Sequence, residues 1–170
     1  MQNLQQKLNN TFIRLAGIVK ESIVDGKGIR ASIYVQGCPH KCVGCHNGHT
    51  HDFNGGKEYS LQQIIDLILP NPLLDGITLS GGEPFCHAES LSVLAEWAKQ
   101  NNLNIWCYSG YTYEELLELS TQDVNIKNLL DKVDVLVDGK FIESQKDLTL
   151  AFRGSKNQRI IELAARATEP

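Results

Sequence analysis

No stretch of the chain is long and apolar enough to cross a membrane, and no basic-then-apolar leader opens it, since the first residues, MQNLQQKLNN, are polar and rich in amides. A soluble, cytoplasmic protein is the expectation. Charge of one sign is equally scarce: 16 Lys plus Arg stand against 20 Asp plus Glu, a net charge of -4 with no run of either sign. Neither nucleic acid nor an anionic membrane surface is therefore expected as a partner. Five cysteines, an odd number, leave no complete set of disulfides, and three of them crowd between Cys38 and Cys45. In a reducing compartment such crowding points to metal or redox chemistry. Internal repeats are lacking too, and 170 residues suit one domain with a core that needs no disulfide staples.

Residues 1–15 are expected to be a flexible or weakly ordered tail and 16–170 a single core domain. The run IRASIYVQ, 29–36, has the β-branched and aromatic character of a strand and ends directly before the cysteines. Ser60 and Gln63 form a capping box for a helix whose Leu61, Ile64, Ile65 and Ile68 share one face before Pro70 stops it. GITLS at 76–80 is a second strand, followed by the helical AESLSVLAEWAKQ; NIWCY at 104–108 is a third, followed by a helix capped by Thr112 and Glu115. A helical stretch around 126–130 leads to a fourth strand, VDVLV, at 133–137. Such alternation predicts an α/β fold of parallel strands with right-handed crossovers. A complete eight-unit barrel needs about 250 residues, so an incomplete, partial parallel β/α barrel is expected. Every strand ends in glycine, cysteine or polar residues, and ligand sites of parallel sheets gather at those carboxyl ends.

Cys38, Cys42 and Cys45 are spaced C-x3-C-x2-C in GCPHKCVGCHN, close enough for three thiolates to wrap one soft metal centre. Three ligands on a four-iron cluster leave one iron open, as a catalytic centre requires. The alternative on ligand chemistry is a non-catalytic Cys3His zinc module, because His40, His46, His49 and His51 lie in or just after the loop. In LSGGEP, Gly81 and Gly82 let backbone approach a ligand and the Glu83 carboxylate suits an ammonium group. A side chain at Gly82 is expected to crowd that ligand while sparing the metal. Cys86 and Cys107 are expected to be structural. Among Trp106, Tyr108 and Tyr111, packing is expected for the first two, which leaves Tyr111 as the candidate for a pocket wall.

The cysteine spacing resembles the radical S-adenosylmethionine superfamily, although Gly44 stands where an aromatic residue is common. Gly44, Cys45, His46 and Asn47 are similar to the branch that activates anaerobic ribonucleotide reductases, as are VDGKGIRASIYVQGC, LSGGEPF, IWCYSGYTYEEL, VDVLVDGKF and FRGSKNQ. Lys27 departs from the VDGPGIR of many relatives. The resemblance implies a 4Fe-4S cluster on Cys38, Cys42 and Cys45. It implies S-adenosylmethionine held by Gly44, Cys45, His46, Gly81, Gly82 and Glu83, with Asp138 and Lys140 at its ribose or carboxylate. It further implies reductive cleavage to a 5'-deoxyadenosyl radical, a glycyl radical formed on the large anaerobic ribonucleoside-triphosphate reductase, and an electron donor such as flavodoxin. Other targets open to the same chemistry are that of a formate-lyase-type activase or a small-molecule cyclising reaction.

Overall fold

The structure, a computed structural model, describes residues 1–166. The four expected strands form as β2 (Arg30–Val35), β4 (Gly76–Gly81), β5 (Asn104–Tyr108) and β6 (Val135–Asp138), paired in parallel in that order. Ile33, Leu79, Cys107 and Leu136 stand in register across these strands and are all 0% exposed. Such rows, covered on both faces, are why the parallel strands read as nearly continuous apolar runs.

Three antiparallel strands that the sequence did not announce extend the sheet: β1 (Phe12–Ser22), β3 (Lys57–Ser60) and β7 (Arg159–Glu162). The order is β3-β1-β2-β4-β5-β6-β7, seven strands in one mixed α/β sheet. The expectation of a loose tail over 1–15 is corrected here. Asn3 and Gln6 close a capping box on helix α1 (Leu4–Asn10), and Leu8, Ile13 and Leu15 are buried in the core. Polar ends hid three apolar anchors, too few to stand out as a periodic pattern. Residues 167–170, assigned with the core domain, lie outside the described ones.

Helix α2 (Leu61–Ile68) begins at the Ser60–Gln63 capping box and buries Leu61, Ile64, Ile65 and Ile68. Helix α3 (Ala88–Gln100) buries Leu91, Leu94, Ala95 and Ala98, and α4 (Tyr113–Ser120) starts at the Thr112–Glu115 box. Helix α5 (Val124–Leu130), N-capped by Asp123, packs against α3 and α4. At the amino ends of the strands Arg30, 1% exposed, donates to Thr78 Oγ1 and to the carbonyls of Lys27, Ile77 and Asn104. Its guanidinium also lies over the Trp106 ring, so this buried charge fastens β2, β4 and β5 together. Among the described residues no helix is long and apolar enough to cross a membrane.

Candidate metal and cofactor site

The carboxyl ends of β2, β4, β5 and β6 deliver Cys38, Gly81–Gly82, Ser109–Gly110 and Gly139 to the wall of one cavity of about 420 Å³. Gly37, at φ +104°, turns the chain out of β2 where a side chain would strike the Phe53 ring. The loop then runs back beside its own start. Gly37 N–H donates to Thr50 O at 2.7 Å, Cys38 N–H to His51 O at 3.2 Å, and the Gln36 amide to Asp52 O at 2.6 Å. Left-handed Lys41 (φ 48°) and Gly44 (φ 73°) wind the segment between, so that Cys45 N–H reaches Cys42 O at 3.2 Å.

Cys38, buried, and Cys42 and Cys45, half-buried, are free thiols on the same wall. Burial pushes the Cys38 thiol above its ordinary pKa, while backbone hydrogen bonds from His40 and Lys41 pull it back. Those amides favour a charged sulfur, which is what a metal-bound thiolate presents. Among the described residues no three His, Cys, Asp or Glu side chains converge as one ion requires. A four-iron cluster asks for a wider spread, since each thiolate takes a different iron. Three free thiols carried by one short loop on one cavity wall are the donor set such a cluster takes.

The GGE turn is placed differently from the expectation. Gly81, at φ +92°, lets β4 pass within contact of the Tyr34 backbone, and Gly82 N–H and Glu83 N–H continue the pairing to Val35 O and Gly37 O, each at 2.8 Å. Gly81 and Gly82 line the cavity. The Glu83 carboxylate does not: it is 0% exposed and saturated from within. Its Oε1 accepts from Ser109 Oγ at 2.9 Å and Phe85 N–H at 3.1 Å, and its Oε2 from Gly110 N–H at 2.8 Å, with His40 Nε2 at 2.7 Å. Glu83 thus ties the metal loop, through His40, to the ends of β4 and β5. Gly110 is where the chain makes room for that imidazole, since a Cβ there would meet the His40 ring at 2.3 Å.

Asp138 and Lys140 are likewise placed away from the cavity wall. Asp138, 1% exposed, accepts from Arg159 and from Tyr113 N–H, and Lys140 is exposed; neither side chain lies on the cavity wall, though Gly139 between them does. A buried carboxylate needs a partner, and Arg159 from β7, a strand missed in the sequence, supplies it. Gly44 also stands off the wall, facing Glu143, whereas His46 lies on it and meets Phe141 edge-on at 5.4 Å. Tyr111 packs edge-on against His40 at 4.5 Å, and it is Tyr108 that reaches the cavity, its hydroxyl donating to Phe152 O at 2.7 Å.

Two wall residues, Asp25 and Arg153, were not singled out in the sequence, and a third, His51, was named there only as a possible zinc ligand. Asp25 Oδ2 accepts from Ser22, Ser32 and Tyr34 hydroxyls at 2.6, 2.8 and 2.8 Å. His51 carries a buried Nε2 with no hydrogen-bond partner. Arg153 comes from FRGSKNQ, the block whose motif character was the only signal available for it.

A family model described as a 4Fe-4S single cluster domain matches residues 24–161. The anaerobic ribonucleoside-triphosphate reductase-activating protein of Vibrio cholerae serotype O1 is 38% identical over 81% of this chain and 90% of its own. The chain belongs to the anaerobic ribonucleoside-triphosphate reductase-activating protein family. The protein of that name from Escherichia coli K12 is 35% identical over 83% of this chain and 93% of its own, and that of bacteriophage T4 34% over 81% and 86%. The crystal structure of QueE from Escherichia coli superposes with a TM-score of 0.49 at 16% identity, over 65% of this chain and 58% of that one. The family's single 4Fe-4S cluster agrees with the one cysteine triplet that this activase-family chain possesses.

Proposed function

We propose that this chain activates an anaerobic ribonucleoside-triphosphate reductase by generating a glycyl radical on it. The observation that carries the reading is the meeting of Cys38, Cys42 and Cys45 with the bare Gly81–Gly82 backbone on one cavity, in a chain whose relatives bear that activity in their names. Cys38, Cys42 and Cys45 would hold three irons of a 4Fe-4S cluster, and the fourth would be open to S-adenosylmethionine. Such a site, reduced by an external one-electron donor, would supply the reductive cleavage of S-adenosylmethionine to methionine and a 5'-deoxyadenosyl radical, the species needed to take a hydrogen atom from a glycine of the reductase.

The protein's own residues bind, orient and exclude. Gly81 and Gly82 offer backbone to the methionyl end at close range, and Tyr108, Phe141, Leu150 and Phe152 give an apolar wall suited to an adenine ring. Glu83 acts through others, keeping His40 and the β5 loop in register with the thiolates. A flavodoxin-class electron donor and a cytoplasmic location belong to the same reading. So does an incomplete β/α barrel, supported by the parallel order β2-β4-β5-β6 with helices in the crossovers.

Anaerobic reconstitution with iron and sulfide, followed by reductant, S-adenosylmethionine and the reductase, should give a glycyl radical signal by electron paramagnetic resonance. The signal should be lost when the target glycine is changed to alanine. Normal cofactor cleavage with no radical on the reductase, and turnover of another glycyl-radical enzyme or a small molecule, would reassign the target. A colourless, air-stable protein holding one zinc would favour the Cys3His module, for which the unpartnered His51 Nε2 is the one favourable observation.

A further inference from the structure

The described arginine side chains differ in one respect. Arg14 donates from Nε and NH2 to the carbonyls of Gly55, Asn54 and Gly56; Arg30 is fully engaged in the core; and Arg159 grips Asp138 and Glu114. Arg153 alone uses only NH1, which donates to Gln158 O at 2.6 Å and to Lys156 O at 3.4 Å. Its Nε and NH2 form no hydrogen bond with a described residue. Asp147, whose carboxyl feels the Arg153 charge, is already taken up by the Thr149 backbone and hydroxyl and by Lys156. The open edge is the side of a guanidinium that matches the two oxygens of a carboxylate in parallel hydrogen bonds.

The mounting of this arginine is rigid. Phe152, in the left-handed region at φ 61°, is held by Tyr108 Oη at the end of β5. On the other side Gln158 Oε1 accepts from Gly154 and Ser155 N–H while its Nε2 donates to Gly139 O at 3.0 Å, and Asn157 donates to Lys140 O at 2.7 Å. The loop is thereby fastened to the ends of β5 and β6, the strands that bound the cavity. Arg153 is the one Lys or Arg on the cavity wall among the described residues. With Lys140 off the wall, no other fixed cation among the described residues is available there to an anionic group.

We infer that Arg153 recognises the methionyl carboxylate of S-adenosylmethionine through its Nε and NH2 edge. The assignment rests on the proposed cofactor. It gives the FRGSKNQ block a physical purpose, in which Asn157 and Gln158 shape and anchor the loop and Arg153 is what the loop presents.

The test is equilibrium binding by calorimetry to the reconstituted protein, with three ligands: S-adenosylmethionine, its decarboxylated form, and 5'-methylthioadenosine. Arg153→Met should weaken S-adenosylmethionine by about tenfold to a hundredfold, the range expected for lost charge-assisted hydrogen bonds. The two ligands without a carboxylate should change by less than about twofold, as for a residue they do not touch. Arg153→Lys keeps the charge and loses the fork, so an intermediate loss with unchanged iron content and melting temperature is expected, and it guards against a folding defect in the methionine variant. Equal weakening of all three ligands would overturn the inference, because the arginine would then serve the shape of the loop. Unchanged binding of S-adenosylmethionine would overturn it as well. An unaltered protein that binds no S-adenosylmethionine would remove the cofactor reading itself and this inference with it.

Discussion

Gly82→Ala adds a single methyl group, and the structure assigns the collision to a definite place. A Cβ at Gly82 would lie 2.2 Å from Gly37 O and 2.7 Å from Gly37 C, both backbone atoms that no rotamer change can move aside. Gly82 has no left-handed φ, so the effect is steric alone. Relief requires the β2 and β4 ends to separate, which stretches the hydrogen bond from Glu83 N–H to Gly37 O, now 2.8 Å. Overpacking costs about 1–3 kcal/mol and the lost hydrogen bond about 1 kcal/mol, together about 2–4 kcal/mol. For a chain of this size the melting temperature should fall by about 5–15 °C. Gly37 immediately precedes Cys38, so iron bound per chain after anaerobic reconstitution should fall too. This departs from the expectation drawn from sequence, in which a side chain at Gly82 crowds only the cofactor. Gly48 is the control: it lies in the metal loop, has no left-handed φ, and a methyl group added there would meet nothing within 4 Å. Gly48→Ala should stay within about 0.5 kcal/mol of the unaltered protein. Full iron content and an unchanged unfolding midpoint in Gly82→Ala would refute the reasoning.

Three further outcomes are expected. Alanine at Cys38, Cys42 or Cys45 should each abolish cluster retention measured by iron analysis, whereas Cys107→Ala, in the 0% exposed row of the sheet, should keep full iron and lose about 1 kcal/mol to a small packing defect. Glu83→Gln turns an acceptor of four donors into an amide that faces some of them with its own N–H groups. It should cost about 2–4 kcal/mol in denaturant unfolding, and a loss of cofactor affinity at full stability would instead restore Glu83 as a ligand. Lys140→Ala should leave S-adenosylmethionine affinity within about twofold, the range for an exposed side chain off the cavity wall; a loss of tenfold or more would return Lys140 to the site.

Local signals determined much of this protein. The four parallel strands and the Ser60 and Thr112 capping boxes were legible because each depends on residues within a few positions of one another. The cysteine triplet was legible for the same reason, its three donors being confined to one short loop. Strands β1, β3 and β7 were not: β3 and β7 are edge strands, each selected by the neighbour it pairs with, and β1 is placed by its pairing between β3 and β2. The site divides along the same line. Gly81 and Gly82 reach the cavity by following their strand, as any residue at a strand's carboxyl end does. The fates of Glu83 and Asp138 were decided by groups far away in sequence, and that of Arg153 by how its own loop folds back on itself. Glu83 is consumed by His40 and by Ser109 and Gly110, and Asp138 by Arg159. Arg153 alone is left with an open edge, because its neighbouring acid has other partners. A side chain's chemistry is written in the sequence, but whether that chemistry remains available to a ligand depends on which donors and acceptors the fold brings within about 3 Å of it, and only the tertiary structure sets that.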